Sequence, residues 1–373
     1  MTNEELAKLP TLLDVIDELF ASEHSMELHK QNSEFSGLFP THMQKGFFQP
    51  FKMDDGKDIL LPLTPVDFTY YRGESSFHEK CFPSLFREGM GEAEIFIERI
   101  KRCELELMMK DYPITDIVER GIYAKTPDNS DYLFHFRIGY DGLAQHYGIK
   151  TEYLDLTVDL WTAAFFAATT YDKTSDTYSP ILDTKDYQYG AFYVYMDLGG
   201  ACQDLCGNAP RIDVVGLQPL ARPGRQAGFV YRMEKEENFN KIARKRLFRH
   251  DARVNELIFN YANRGNRLFP KEILNRKIRK GIVEAHSFSR WSYEEARKRY
   301  YPDEKEKVLV DYLKQKSINI TQENKCWFTE EEKQEIVKYW EDHKEEFLSK
   351  IIPRWTFQGE AKEITDVEEF LKL

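Results

Sequence analysis

The stretch Leu143–Ala168, LAQHYGIKTEYLDLTVDLWTAAFFAA, governs how the rest of the chain is read. Gln145 and His146 close a predicted helix. Gly148 is its expected C-cap, because glycine enters the left-handed conformation without a Cβ clash. Thr151–Leu154 is a short extended run. Asp155, Thr157 and Asp159 then surround the start of a strongly apolar helix, Leu160–Ala168. Asp155 or Thr157 is the expected N-cap of that helix. Polar side chains caught between two buried elements need partners or a ligand.

Working outward, the aromatic run Phe68-Thr-Tyr-Tyr-Arg72-Gly73 predicts a buried strand. Glu92–Lys110 predicts an amphipathic helix, with Ile95, Phe96, Ile100, Cys103 and Leu107 on one side and its charges opposite. A second helix or helix pair is expected from Ile114 to about Asp141, interrupted at Pro127-Asp-Asn-Ser130. Downstream, Tyr171–Tyr189 is polar and predicts a surface loop. Gly190–Met196, Gly228–Met233 and Val254–Phe259 predict strands, and Arg222-Pro-Gly-Arg-Gln226 predicts a turn rich in donors. Both ends predict helices, with capping boxes at Thr2–Glu5, Thr329–Glu332 and Thr365–Glu368. The expected fold is a mixed α+β core over 61–285, with a helical extension over 1–60 and a helical region over 286–373.

With 42% apolar residues, 26 Phe and 21 Tyr, the 373-residue chain can bury a sizeable core. Its net charge of −11 disfavours polyanion binding as a property of the whole molecule. Lys241–Lys280 departs from that average, with 13 Lys and Arg against 3 Asp and Glu. This basic segment either serves an anion site or pairs with the acidic remainder. Phe248, Phe259, Tyr261 and Phe269 lie within it, so one alternative is a nucleotide- or nucleic-acid-binding module without catalysis. The five Cys are odd in number and scattered, which suggests neither a disulfide scaffold nor a metal site. Cys202 and Cys206 could share one helical face. No apolar run approaches membrane-spanning length, and no signal segment is apparent, so we expect a cytoplasmic protein with no membrane partner.

Phosphate-loop, nucleophile-elbow, zinc-helix and GxGxxG patterns are absent. Three polar clusters remain. Tyr71-Arg72-Gly73 puts a guanidinium on a buried strand, where it needs an anion or a carboxylate such as Asp155. Gly73 would let backbone or ligand come close. Gln145-His146…Thr151…Asp155…Thr157 offers a possible acid or base in His146. Arg222…Gln226-Ala-Gly228-Phe229 offers a cation and an amide.

Taken in order, these clusters resemble the FRG domain, a family of bacterial and phage proteins. Tyr71-Arg72-Gly73 is similar to its [FY]RG motif and Pro83–Arg87 to the segment that follows, LAQHYGIKTEYLDLT at 143–157 to its second block, and Arg222…Gln226-x-Gly228-Phe229 to its third. One departure is Leu156, where the family often has an aromatic. The block order in turn resembles that of ADP-ribosyltransferases. That resemblance implies an FRG-type core with a split sheet and an NAD-dependent ADP-ribosyltransferase-like or NAD-cleaving enzyme, in a phage-defence or toxin setting. It implies NAD as cofactor, no metal, and a nucleic acid or protein as acceptor through 241–280. On this view Tyr71, Arg72, Gly73, Gln145, Thr151, Asp155, Thr157 and Arg222 would hold the cofactor. His146, Gln226 and Glu256 would be catalytic, with Gln226 or Glu256 standing where a late acidic residue belongs.

Overall fold

The computed structural model describes residues 2–31, 48–52, 56–62, 69–125, 131–136, 138–185, 189–196, 211–216, 220–322 and 325–349. Pro127–Ser130, Cys202, Cys206, Phe68 and the expected cap at Thr365 lie outside these residues.

A six-stranded antiparallel sheet forms the centre, in the order β10-β11-β6-β3-β9-β12. The strands are β3 (Thr69–Glu74), β6 (Tyr153–Thr157), β9 (Tyr189–Met196), β10 (Ile212–Val214), β11 (Gly228–Arg232) and β12 (Arg244–Arg249). Its two halves are each well paired. β3 runs against β9 over six residue pairs, and β6 against β11 over five. Between the halves, β3 and β6 meet only at Tyr71↔Thr157. The sheet therefore opens on either side of that pair.

Side-chain alternation sends successive residues to opposite faces. Tyr70, Tyr193 and Phe229 join the larger core, whereas Tyr71 and Phe192 join a smaller one. The smaller core is closed by the apolar helix α6 (Leu160–Ala168), by α2 (Leu12–Gln31) and by α8 (Ala252–Tyr261). Gly73 serves this packing. A Cβ there would overlap the Ala163 carbonyl and crowd Ala167, so its missing side chain admits helix α6 rather than a ligand. Asp159, not Asp155 or Thr157, caps α6, its carboxylate accepting from the amides of Trp161 and Thr162 at 3.3 and 3.0 Å.

The larger core is built around α3 (Glu92–Lys110), against which α10 (Arg290–Tyr300) and α11 (Glu306–Gln315) pack. Phe288, Tyr293, Leu309, Trp327 and Trp340 of residues 286–349 share this core. α3 is covered on several sides, so three of its charges are buried: Glu98, Arg102 and Glu104. Arg102 pairs with Glu152 at 2.9 Å and with Asp141, and Glu104 accepts from Ser289 and Lys325. The face expected to carry charge opposite the apolar side is thus partly covered.

Four other expectations are corrected. The span from Ile114 to Asp141 holds α4 (Pro113–Arg120) and α5 (Tyr140–His146), with a hairpin β4–β5 (Ile122–Lys125, Asp131–Phe134) between them. Tyr171–Tyr189 begins in a second hairpin, β7–β8 (Thr169–Asp172, Thr177–Pro180). Where a donor-rich turn was expected, Ala221–Arg225 forms one turn of helix, α7. Val254–Phe259 lies inside α8, because a short apolar run fits either period and tertiary packing chose the helix. Near the N-terminus, β1 (Phe48–Lys52) and β2 (Asp58–Pro62) pair as a hairpin, and the capping boxes at Thr2 and Thr329 form.

Candidate functional site

The opening between β3 and β6 lies in a cleft of about 820 Å3. All three polar clusters reach it: Tyr71, Arg72 and Gly73 from β3, Gln145 and His146 from the end of α5, Asp155 and Thr157 from β6, and Arg222 and Gln226 from α7 and the turn after it.

Arg72 has its partners within the protein. Its Nε and Nη2 donate to Glu74 Oε1 at 3.1 and 2.9 Å, and Nη1 donates to the backbone oxygen of Asp155 at 2.9 Å. The pair is thus with Glu74, two residues along the same strand face, and not with the Asp155 carboxylate. The third bond places the guanidinium where the ladder would have continued past Tyr71↔Thr157. Burial alone would raise the Glu74 carboxyl, but Arg72 beside it holds it below the usual range.

The second cluster is a connected chain. Thr151 Oγ1 donates to Gln145 Oε1 at 2.7 Å, and Gln145 Nε2 donates to Asp155 Oδ2 at 3.0 Å. Thr151 is fully buried beneath the cleft and does not line it. Thr157 Oγ1 donates to the Gln226 backbone oxygen at 2.7 Å and accepts from the Asp159 amide, which ties β6 to the third cluster.

Gln226 is 4% exposed, and both polar atoms of its amide have a partner. Nε2 donates to Leu268 O at 3.2 Å, so Oε1 is the atom 3.1 Å from His146 Nδ1. An oxygen cannot donate, so Nδ1 carries the hydrogen of the neutral ring and Nε2 presents a lone pair. Burial keeps His146 below the ordinary imidazole range; Asp155 and Gln226 oppose that effect and Arg222 adds to it. Gly228 leaves room for the ring, since a Cβ there would strike it. Gln226 therefore orients His146.

His146 Nε2 lies 3.6 Å from Asp155 Oδ1. Both atoms are buried, and neither has a hydrogen-bond partner. Two acceptors facing each other lack the donor that would satisfy both. Arg222 is complementary: Nη1 donates to Asn275 Oδ1 at 2.9 Å, its guanidinium stands 5.0 Å from the Phe269 ring centre, and its Nε is buried without an acceptor.

The cleft walls carry seven Arg and Lys against five Asp and Glu, in a protein of net charge −11. Arg72, Lys101 and Arg279 are ion-paired. Among the described residues Arg87, Lys150, Lys173 and Arg222 form no ion pair, which leaves the cleft attractive to an anion. Phe166 of α6 and Tyr178 add aromatic surface, and Tyr178 comes from the β7–β8 hairpin that the sequence reading missed. Glu74 was also missed, although its two-residue spacing from Arg72 on a strand was a legible signal.

Glu256 is not part of this site. It is exposed on α8 and does not line the cleft, because the segment is a helix and that position faces solvent. The basic segment 241–280 is spread over several elements. Arg246, Arg249, Arg276, Lys277 and Arg279 pair with carboxylates, and Phe248 and Phe259 are buried in the smaller core, out of reach of a base.

The described residues contain no cluster of three or more His, Cys, Asp or Glu suited to a metal ion, and no helix long and apolar enough to cross a membrane. The site thus belongs to an α+β protein whose cleft opens at a break in its central sheet. The family model of the FRG domain matches residues 68–176, and the chain carries an FRG domain. That match holds Arg72, His146 and Asp155, while Arg222 and Gln226 lie beyond it. No curated protein and no solved structure matches the chain.

Proposed function

We propose that the cleft binds NAD and cleaves its N-glycosidic bond, passing ADP-ribose to water or to an acceptor. The observation that carries this reading is the facing pair of unmet acceptors, His146 Nε2 and Asp155 Oδ1, at the opening of the sheet. The Asp155 carboxylate stabilises positive charge on the ribose as the bond to nicotinamide breaks, the part expected of Gln226 or Glu256. The bonding pair leaves with nicotinamide, the acceptor oxygen bonds to ribose C1′, and its proton goes to His146 Nε2. Arg222, with its free Nε, holds the pyrophosphate, since Arg72 is engaged by Glu74. Gln145 and Thr151 hold Asp155, and Thr157 and Gln226 hold His146. The resemblance of the block order to that of ADP-ribosyltransferases and the opening between β3 and β6 support the same reading. A cleft of this volume lies within the range of small-molecule and cofactor sites.

The test is nicotinamide release from NAD by the full chain. Asp155→Asn and His146→Ala should each lower turnover by about 10²–10⁴-fold. Arg222→Ala should chiefly raise KM. Absence of NAD binding at millimolar ligand, or unchanged turnover in Asp155→Asn, would sink the proposal.

A further inference from the structure

A second cavity, of about 120 Å3, lies where α12 (Glu330–Leu348) crosses the entry to α9 (Ile273–Ile278). Its lining includes the rings of Tyr112, Tyr339, Trp340 and Phe347 and the carboxylate of Glu272. Glu272 Oε1 accepts from Tyr147 Oη at 2.7 Å, and among the described residues no Lys or Arg forms an ion pair with it. Burial pushes this carboxyl up to about 7, against the opposing pull of the Tyr147 hydroxyl and the Arg222 charge. Glu335 and Glu346 add negative charge to the walls, against Arg225 and Lys271.

Aromatic faces attract cations through the ring quadrupole, and more strongly once water is excluded. A half-buried carboxylate sharing a cavity with four rings is therefore complementary to an organic ammonium and poorly suited to an anion. We infer that this cavity is a binding site for a small organic cation, whose charge lies against Glu272 and whose carbon substituents lie against the rings. An engineered cavity of ~150 Å3 takes up benzene, so a slightly smaller one has room for a methylated ammonium head. Tyr147 joins this cavity to the cleft, since it follows His146 in sequence and lines the cleft itself. The inference does not depend on the NAD reading, and either can fail alone.

The experiment is calorimetric titration of the full chain with benzyltrimethylammonium, with benzyl alcohol as the uncharged control. Saturable one-to-one binding is expected for the cation, weaker by about tenfold or more for the alcohol. Glu272→Gln should weaken cation binding by a similar factor, and His146→Ala, in the cleft, should leave it within about twofold. Trp340→Leu supplies a second variant that reports on the rings if Glu272→Gln folds poorly. No saturable binding, equal binding of the alcohol, or undiminished affinity in both Glu272→Gln and Trp340→Leu overturns the assignment.

Discussion

Two regions of this molecule bury charge, and they do so differently. Around α3, Arg102 is held by Asp141 and Glu152, Glu152 also accepts from Arg99 at 2.8 Å, and Glu104 accepts from Ser289 and Lys325. At the cleft, His146 Nε2, Asp155 Oδ1 and Arg222 Nε have nothing to bond. Those three, of seven buried side-chain N and O atoms without a partner in the described residues, all belong to residues that line the cleft. A satisfied network fixes structure. A set of complementary unmet groups around one opening is instead what a ligand completes.

The comparison breaks most visibly at Arg102. Arg102→Met removes one side of a buried pair and strands Glu152 and Asp141, so it should cost about 3–5 kcal/mol in denaturant unfolding. Asp155→Asn, by contrast, should leave stability within about 1 kcal/mol. An equal loss in both variants would mean that the cleft is as structural as the α3 network.

Gly73→Ala probes the wall shared by the cleft and the smaller core. The added Cβ meets the Ala163 backbone, which cannot yield as a flexible side chain would. A loss of about 1–3 kcal/mol is expected from overpacking, read as a lowered Tm. A neutral result would show that α6 can slide on β3.

Acidification tests the cleft's neutral imidazole. Burial lowers the pKa of His146, and of His250, whose Nε2 meets Ser75 O at the cleft rim. The unfolded chain gains protons on both as pH falls below about 6.5, while the folded chain resists. Their contribution is therefore full above that pH and is lost as pH drops toward the folded values, by at most about 1.4 kcal/mol per pH unit for each group. His146→Gln should flatten this limb in unfolding measured from pH 7 to pH 5. Glu272 acts in the opposite direction. Its carboxyl, pushed up to about 7, makes a contribution present at low pH and lost as pH rises through that value.

The smallest effect is expected at Glu256. Its side chain is on the solvent face of α8, so Glu256→Gln should alter stability by less than about 0.5 kcal/mol and leave NAD turnover unchanged. A large loss of turnover would return this residue to the site.

Much of the framework was legible from periodicity. α3 spans Glu92–Lys110 as read, β9 and β11 fall where alternation put them, and the capping boxes at Thr2 and Thr329 form. Elements with weak patterns were not legible. The β7–β8 hairpin is mostly exposed and polar, so its strands resemble a loop, and the apolar run of α8, Leu257–Phe259, is too short to reveal its period. The cap of α6 went to Asp159 because Asp155 and Thr157 belong to the strand before it.

The sequence by itself determined which polar residues would lie among apolar ones: Arg72, Gln145, His146, Asp155, Thr157, Arg222 and Gln226 all stand beside buried runs. Only the tertiary structure decided which of them would be satisfied. Arg72 found Glu74 two residues away, whereas Gln226 found His146 eighty residues away and Leu268 on a third segment. Burial pattern is a local, periodic property of the chain. Hydrogen-bond satisfaction belongs to groups brought together by folding, and what is left unmet at the opening between β3 and β6 appears only once every other partner has been placed.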